Sequence, residues 1–401
     1  MEKVIAGIDV GTTKVCTLIG EVTEKEELRI VGVGMVPSHG LHKGAVVNVR
    51  SAAQAIAASV EKAERISGYQ VEQAYVGIAG AHISSFNSKG VVATFRSKHG
   101  ITQEDIDRAL DAAQAVLIPY NYQLIHVIPR SYTIDGQDGV RDPLGMYGFR
   151  LEVEAHIITG ATSFIQNLVK CVEANNIEVK ELILAPLASA EAVLTEAERE
   201  MGVVLADIGG GTTDIAIFTK GSVFHTAVLP TGGNHLTMDV AAGLCAPFEV
   251  AEKIKKKYGY VHPENVRGEM VEVAAFGEGP YHVPRSLLSQ VIEKRVEEIF
   301  ELIQQEIKRS GCEGLLPAGI VLCGGTAELA GITDLGRRIM RLPVRVGTPH
   351  GLHGLVDTIS SPAYATSVGL LLWGLRYETP PSEPSGILRR ILNWLGNLLP
   401  G

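Results

Sequence analysis

The chain has 401 residues, of which 46% are hydrophobic and 20% are charged. This composition is typical of a globular protein with two or three domains of roughly 150 residues each, and it excludes wholesale disorder. The 36 Lys and Arg residues against 45 Asp and Glu residues give a net charge of -9, which argues against nucleic acid as a partner.

The N-terminal segment predicts a β-hairpin. An apolar run over residues 3–10 is followed by a polar turn at 11–14 and a second, β-branched run over 15–20. β-rich segments on both sides of a glycine-threonine turn are typical of a hairpin. The chain enters this strand without the charged and apolar regions of a signal peptide, and no later run approaches the ~18 apolar residues of a spanning helix.

The segments after this hairpin predict a lobe and then an insertion. Residues 28–36 predict a third strand and residues 49–67 a helix, because of their apolar periodicity. Thr102 is the predicted cap of a further helix that has acids in its first turn. We interpret residues 84–160 as a small inserted α+β subdomain. Its predicted elements are a helix over 101–117, strands over 122–134 and 149–158, and a loop over 135–148.

The hairpin pattern returns near the middle of the chain. An apolar run over 202–208 is followed by a Gly-Gly-Gly-Thr-Thr turn and a β-branched run over 214–218. The two copies lie about 200 residues apart, which is almost half of the chain. We therefore predict a duplicated unit that consists of a strand, an Asp, a Gly/Thr turn and a second strand.

The second half also predicts several helices and a third glycine turn. Helical periodicity covers residues 232–258 in two pieces, then 286–310 and 361–373. Residues 319–323 predict a buried strand that runs directly into Gly-Gly-Thr at 324–326.

The glycine-threonine turns have the chemistry of a phosphate site. Their backbone N–H groups and hydroxyls can bind phosphate oxygens without adding bulk. Asp9 and Asp207, near the ends of the preceding strands, suit Mg²⁺, either directly or through its waters. We predict that the two turns face each other across a cleft and bind one nucleotide, with the third turn beside the nucleoside. The residues of the three turns are Gly11, Thr12, Thr13 and Lys14; Gly209, Gly210, Gly211, Thr212 and Thr213; and Gly324, Gly325 and Thr326.

The paired Asp-x-Gly-Thr-Thr and Asp-x-Gly-Gly-Gly-Thr-Thr motifs, with the late Gly-Gly-Thr, resemble those of the ATPase fold of actin, heat-shock chaperones and sugar kinases. More narrowly, the chain resembles the FtsA family of bacterial actin-like cell-division proteins over essentially its whole length. Segments 124–136 and 142–148, a Pro-rich linker and a terminal amphipathic helix carry this narrower resemblance. It implies an α/β, duplicated actin-like (ribonuclease H-like) two-lobe ATPase fold with a small inserted α+β subdomain and a C-terminal amphipathic helix.

The resemblance also implies that the cofactors are ATP and Mg²⁺ and that the chain divides into named subdomains. Glu252 and Lys255 match a Glu-x-x-Lys helix of the chaperone ATPases and are expected beside adenosine, although such a pair is also typical of a solvated helix face. By the same analogy, Gly232 and Gly233 lie near the phosphates. The subdomains are 1A (1–83, 161–185 and 357–376), the inserted 1C (84–160), 2A (186–227 and 318–356), 2B (228–317), a linker (377–386) and a membrane-targeting helix (387–399).

One departure from the chaperone ATPases concerns hydrolysis. Where they carry an acid just before a proline, this chain has Ala185 before Pro186. Ala185 cannot position or deprotonate a water, and the nearby Ser189 is a poor base. We expect at most a slow ATPase without an assigned catalytic residue, in which nucleotide binding sets lobe closure and polymerisation.

The terminal segment 387–399 predicts an amphipathic helix on a membrane surface. At about 100° per residue, its apolar side chains fall within an arc of roughly 160° and its arginines lie outside that arc. About 13 residues are too few to span a bilayer, but a short cationic helix with a Trp suits an anionic membrane surface. A groove on a partner protein is the alternative. The residues assigned to the membrane are Ile387, Leu388, Arg389, Arg390, Ile391, Leu392, Trp394, Leu395, Leu398 and Leu399.

The resemblance finally implies a cellular role. The expected protein lies on the cytoplasmic side of the cell membrane at the division septum, forms filaments with itself, anchors the tubulin-like FtsZ ring and recruits later division proteins. The FtsZ contact is expected near residues 228–317, and the insert is expected to contact a neighbouring subunit. Two alternatives stay open: a pilus-assembly scaffold of the same family, and a small-molecule kinase of the same fold.

Overall fold

The computed structural model describes residues 3–24, 27–94, 100–274, 279 and 281–377, so the predicted helix over 387–399 lies outside the described residues, as does the linker after Tyr377. The strands are β1 Lys3–Val10, β2 Lys14–Val22, β3 Leu28–Pro37, β4 Leu41–His42, β5 Ala45–Val46, β6 Gln73–Ile78, β7 Ile83–Ala93, β8 Tyr122–Ile134, β9 Gln137–Val140, β10 Arg150–Ala161, β11 Glu178–Leu184, β12 Val203–Ile208, β13 Thr213–Thr219, β14 Ser222–Leu229, β15 Met270–Val273, β16 Tyr281–Pro284, β17 Ile320–Cys323, β18 Val344–Val346 and β19 His353–Gly354. The helices are α1 Val49–Ser67, α2 Gln103–Gln114, α3 Thr162–Glu173, α4 Ala185–Val193, α5 Glu196–Met201, α6 Gly233–Gly243, α7 Phe248–Tyr258, α8 Arg285–Ser310, α9 Ile332–Met340 and α10 Ala365–Arg376.

Two sheets of the same construction form the two lobes. The lobe 1 sheet has the order β11-β6-β1-β2-β3-β19, and the lobe 2 sheet has the order β14-β13-β12-β17-β18. In each, three antiparallel strands are extended by two parallel ones: β6 and β11 beside β1, and β17 and β18 beside β12. Parallel neighbouring strands require crossover connections, and in both lobes these connections contain helices. The duplication predicted from the sequence is confirmed.

The insert is a four-stranded antiparallel sheet of order β7-β10-β8-β9, with α2 packed on it. Thr102 caps α2 in a capping box with Asp105, as the sequence predicts. The prediction of an uninterrupted loop over 135–148 is wrong, because a tight turn at Asp135-Gly136, where both residues have positive φ, returns the chain as β9 along β8. The helix also ends before the predicted Leu117, which is 96% exposed and has no core to cover.

Helices α4 and α10 lie between the two lobes. They share one buried cluster with Ile5 and Leu18 of lobe 1 and with Leu205 and Ala216 of lobe 2. Burial of this apolar surface holds the two sheets on a common pair of helices. As a result, polar residues of α4 and of the first turn of α10 reach the same region as the two glycine-threonine turns.

Candidate functional site

The two glycine-threonine turns have the same geometry. In the first, the Gly11 N–H donates to the Lys14 carbonyl at 3.0 Å, and in the second, the Gly209 N–H donates to the Thr212 carbonyl at 2.9 Å. Both turns connect antiparallel strands over equal lengths, so the strand registers align the two copies residue by residue. This alignment places the aspartates at equivalent positions, where Asp9 pairs with Cys16 and Asp207 pairs with Asp214.

The turns from the two lobes touch each other. A Cβ atom on Gly210 would lie 2.3 Å from Thr13 Cγ2, and one on Gly211 would lie 2.7 Å from Thr12 Oγ1. Glycine therefore permits an approach that any other residue would prevent. On its other side, Thr12 Oγ1 accepts a hydrogen bond from the Gly44 N–H at 3.1 Å. The predicted pair of facing turns is thus formed by direct contact between lobes.

Hydroxyls from α4 and α10 hold the two predicted metal carboxylates. Ser367 Oγ donates to Asp9 at 2.9 Å, while Ser189 Oγ and Thr366 Oγ1 donate to one oxygen of Asp207 at 2.6 and 2.9 Å. Sequence reasoning missed Thr366 and Ser367, which carry no motif, and noted Ser189 only as a poor base. The start of α10 therefore orients the carboxylates of both lobes.

A third carboxylate, that of Asp214, belongs to the same group. Burial raises the pKa values of Asp9 and Asp207, and burial together with the charge of Asp207 raises the pKa of Asp214 to about 8. Thr212 Oγ1 donates to Asp214 Oδ2 at 2.9 Å, but Oδ1 is buried and has no hydrogen-bond partner among the described residues. The sequence does contain a signal for Asp214, because it follows the second turn directly.

This group of oxygens fits Mg²⁺ better than a transition metal. Among the described ranges, no three His, Cys, Asp or Glu side chains are placed to chelate an ion together. Mg²⁺ usually keeps several waters and takes one or two carboxylates plus phosphate oxygens, so it does not need such a cluster. Asp207 and Asp9 would hold its waters, and the unpaired Asp214 Oδ1 is a further acceptor for them. A bound Mg²⁺ would neutralise phosphate charge between the turns.

The third turn and the start of α6 close around the second turn. A Cβ atom on Gly324, where φ is +82°, would lie 2.4 Å from Asp207 Oδ1, and Thr326 Oγ1 donates to the Gly209 carbonyl at 3.1 Å. The N–H groups of Gly233 and Asn234 donate to the carbonyls of Gly209 and Gly210 at 2.8 Å. Gly232 caps the start of α6. The predicted nucleotide residues of lobe 2 are therefore contiguous.

Glu252 and Lys255 lie beside this start of α6. Lys255 Nζ is 2.7 Å from Glu252 Oε2 and donates to the Gly233 carbonyl at 3.0 Å. Thr237 Oγ1 donates to Glu252, and it also accepts from Lys255 at 2.8 Å. The Lys255 side chain is 13% exposed, so the pair is a partly buried contact between α7 and α6 rather than part of a solvated face.

Lys14, the last residue of the first turn, contacts the segment that precedes α10. Its Nζ atom donates to the Ala363 carbonyl and lies 3.7 Å from the centre of the Tyr364 ring. The positive charge of Lys14 lowers the pKa values of Asp9 and Asp207 against the effect of burial. Lys14 therefore acts electrostatically on the carboxylates while it is anchored to the segment before α10.

Comparisons with known proteins establish the family. The family described as "Cell division protein FtsA" matches residues 204–369, and the "SHS2 domain inserted in FTSA" matches residues 80–159. The chain is 47% identical to the cell division protein FtsA of Pseudomonas aeruginosa over 379 residues, which covers 94% of this chain and 90% of the relative. It is 40% identical to that of Neisseria meningitidis, with 99% of each chain covered. The chain belongs to the FtsA family.

Solved structures show the same actin-like fold at low sequence identity. The "PilM-PilN type IV pilus biogenesis complex" matches with a TM-score of 0.68 and 14% identity, covering 93% of this chain and 98% of the other. MreB5 of Spiroplasma citri bound to ADP matches with a TM-score of 0.52 and 14% identity, covering 98% of both chains. At such identities the likeness concerns the fold alone. In the part of the chain that is described, none of the helices has the length and apolarity to cross a bilayer.

Proposed function

We propose that this FtsA-family protein binds ATP with Mg²⁺ between its lobes, forms filaments on the inner face of the cell membrane, anchors the FtsZ ring and recruits later division proteins. The observation that carries this proposal is the contact of two equivalent glycine-threonine turns, one from each lobe, beside the buried carboxylates of Asp207 and Asp214 and the half-buried Asp9. Backbone N–H groups and hydroxyls in such turns suit phosphate oxygens, and the carboxylates suit the metal that accompanies them.

In this proposal the second turn, the third turn and the start of α6 bind the phosphates on the lobe 2 side, and Glu252 with Lys255 borders the adenosine. The first turn closes from lobe 1. Hydrolysis is at most slow, because Ala185 offers no base and the Ser189 hydroxyl is engaged by Asp207. Steady-state turnover close to the uncatalysed rate, with tight ATP binding, is the expected result. Rapid turnover that depends on an added small-molecule acceptor would instead support the kinase alternative.

Membrane attachment rests on the amphipathic pattern of residues 387–399. Each Arg is expected to contribute about 1 kcal/mol near anionic lipid, and the buried apolar side chains add to this. A single helix would bind reversibly, whereas a filament presents many copies and would bind firmly by multivalency. The division role is favoured over the pilus scaffold because identity to FtsA relatives is 47% and 40%, against 14% to the pilus protein.

The proposal is tested by co-sedimentation with anionic liposomes. Full-length protein should pellet with the vesicles and protein without residues 387–401 should not, with ATP strengthening the difference through filament formation. Leu395→Glu should abolish pelleting, whereas Asn393→Glu adds the same charge to the polar face and should weaken it only slightly. Equal pelleting of the full-length and truncated proteins would disprove the anchor.

The partner is tested in the same assay. Purified FtsZ should pellet with liposomes only when the full-length protein is present, and the truncated protein should keep FtsZ in the supernatant. A truncated protein that still binds FtsZ on a column would confirm that the two interactions are separate. Absence of FtsZ from the pellet when the full-length protein is fully membrane-bound would contradict the anchoring role.

A further inference from the structure

The insert interrupts lobe 1 in sequence but contacts lobe 2 in space. It leaves lobe 1 through β7 and returns through β10, and its sheet lies against β14, the edge strand of the lobe 2 sheet. Ser85 Oγ donates to the Thr226 carbonyl at 2.8 Å, and Asn87 Nδ2 donates to the Phe224 carbonyl at 3.3 Å. We call this contact the insert bridge, defined by Ser85, Asn87, Arg130 and His156 of the insert with Phe224–Thr226 of β14.

His156 is the buried centre of the insert bridge. Its side chain lies between Asn87 Oδ1, 2.7 Å from Nδ1, and Thr226 Oγ1, 3.0 Å from Nε2. His156 is 1% exposed and Thr226 is 4% exposed. Burial, with His225 and Arg130 nearby, lowers the pKa of His156 to about 3, so the ring is neutral and both of its nitrogens are hydrogen-bonded. Loss of this ring would leave the buried Thr226 hydroxyl without its partner from the insert, whereas Asn87 is an exposed residue whose amide can bind water instead.

Two further contacts join the same partners. The Arg130 guanidinium lies 4.0 Å from the centre of the Phe224 ring, which is a cation–π geometry between the insert and lobe 2. At the surface, the guanidinium of Arg141 in the insert pairs with the carboxylate of Glu200 in α5 of lobe 2. Both of these last side chains are exposed, at 73% and 45%, so they can be modified without disturbing the core.

We propose that the insert bridge stabilises the closed arrangement of the two lobes, so that displacement of the insert from β14 opens the cleft and speeds nucleotide release. The insert is covalently joined to lobe 1 and hydrogen-bonded to lobe 2. Rotation of one lobe against the other must therefore break the bridge or carry the insert with it. The bridge is formed in the state in which the two glycine-threonine turns touch, so its free energy favours that state. The statement about nucleotide release rests on the nucleotide binding proposed above.

Loosening the bridge should speed release. His156→Ala is expected to raise the dissociation rate of a fluorescent ATP analogue by about 3- to 10-fold, the factor for one net hydrogen bond. His156→Gln retains a hydrogen-bonding amide towards Thr226 and should restore part of the slow rate. Thr133→Ala removes a hydrogen bond within the insert, between Thr133 Oγ1 and Asp138, and is the matched control that should leave the rate unchanged.

Locking the bridge should have the opposite effect. In a Cys245→Ser background, which removes the exposed native thiol, Arg141→Cys and Glu200→Cys can be joined by a short bis-maleimide. The cross-linked protein should release nucleotide more slowly than the same protein before cross-linking. This second measurement does not depend on whether His156→Ala folds. An unchanged rate after complete cross-linking would overturn the proposal.

A readout without nucleotide separates this proposal from the proposed function. Spin labels on the exposed positions Ile66 of α1 and Met238 of α6 report the distance between lobes in the nucleotide-free protein. His156→Ala should broaden or lengthen that distance distribution, and the cross-link should narrow it. If the wild-type protein binds no nucleotide while His156→Ala and the cross-link still change the distances as expected, nucleotide binding is disproved and the bridge is supported. If the wild-type protein binds nucleotide but neither His156→Ala nor the cross-link changes the distances, the role of the bridge is overturned and the nucleotide binding stands.

Discussion

The two glycine-threonine turns share their backbone but differ in charge. Both have the same closing hydrogen bond and the same place in their sheets. The last of the four turn residues is Lys14 in lobe 1 and Thr212 in lobe 2. The residue that pairs with the aspartate across the two strands is Cys16 in lobe 1 and Asp214 in lobe 2. Duplication thus repeats the scaffold, while two side-chain differences put the cation in one lobe and a second carboxylate in the other.

This difference predicts that Asp207 matters most for metal-dependent binding. Burial is the main cause of the raised pKa values of Asp9 and Asp214, and the charge of Asp207 raises both further, so Asp207 interacts with both of the other carboxylates. Asp207→Asn should lower ATP affinity in Mg²⁺ by about 10- to 100-fold, measured by calorimetry, and Asp9→Asn should lower it less. With EDTA the two variants should bind alike. A larger loss for Asp9→Asn, or a loss independent of Mg²⁺, would reverse the assignment.

A smaller but more specific effect is expected where the turns touch. Gly210→Ala places a methyl group against Thr13 Cγ2, so the lobes must separate and ATP affinity should fall by about tenfold. Adding Thr13→Ser removes that methyl from the opposite lobe and should restore most of the affinity. Gly243→Ala at the end of α6 is the control, because it lies outside the turns and its Cβ would meet only Val291 Cγ2 at 3.4 Å. Failure of Thr13→Ser to rescue would show that the turns do not meet in solution.

Asp214 should make the metal-free protein less stable as the pH rises. Its folded pKa of about 8 lies above the unfolded value near 3.9, so its stabilising contribution is complete below about pH 4 and is lost as the pH rises through about 8. Asp214→Asn cannot ionise and should lack this loss. In EDTA, its melting temperature should exceed that of the wild type by at least about 3 °C at pH 8. Parallel pH profiles for the two proteins would contradict the raised pKa.

The smallest effect is expected for the anchor of Lys14. Tyr364→Leu removes the ring below the Lys14 ammonium and should lower the free energy of unfolding by about 0.5–1 kcal/mol. Tyr364→Phe keeps the ring and should retain the wild-type value in urea unfolding. Equal destabilisation by both variants would assign the effect to the tyrosine hydroxyl instead.

The sequence by itself determined the duplicated hairpins, the inserted subdomain and the equivalent positions of Asp9 and Asp207 before the two turns. Turn chemistry, capping and strand patterns are local, so adjacent residues encode them and repeat them visibly. The short strand β9 escaped prediction because it depends on pairing with β8 after a turn in a polar segment.

Only the tertiary structure decided which groups surround the carboxylates and which surfaces join the lobes. Ser367 reaches Asp9 from 358 positions along the chain, and His156 reaches Thr226 from 70 positions away. A buried carboxylate or imidazole requires a partner, but the packing of distant helices and strands selects that partner. No local pattern specifies such a pairing, because it exists only after α10 and the insert have docked against the two lobes.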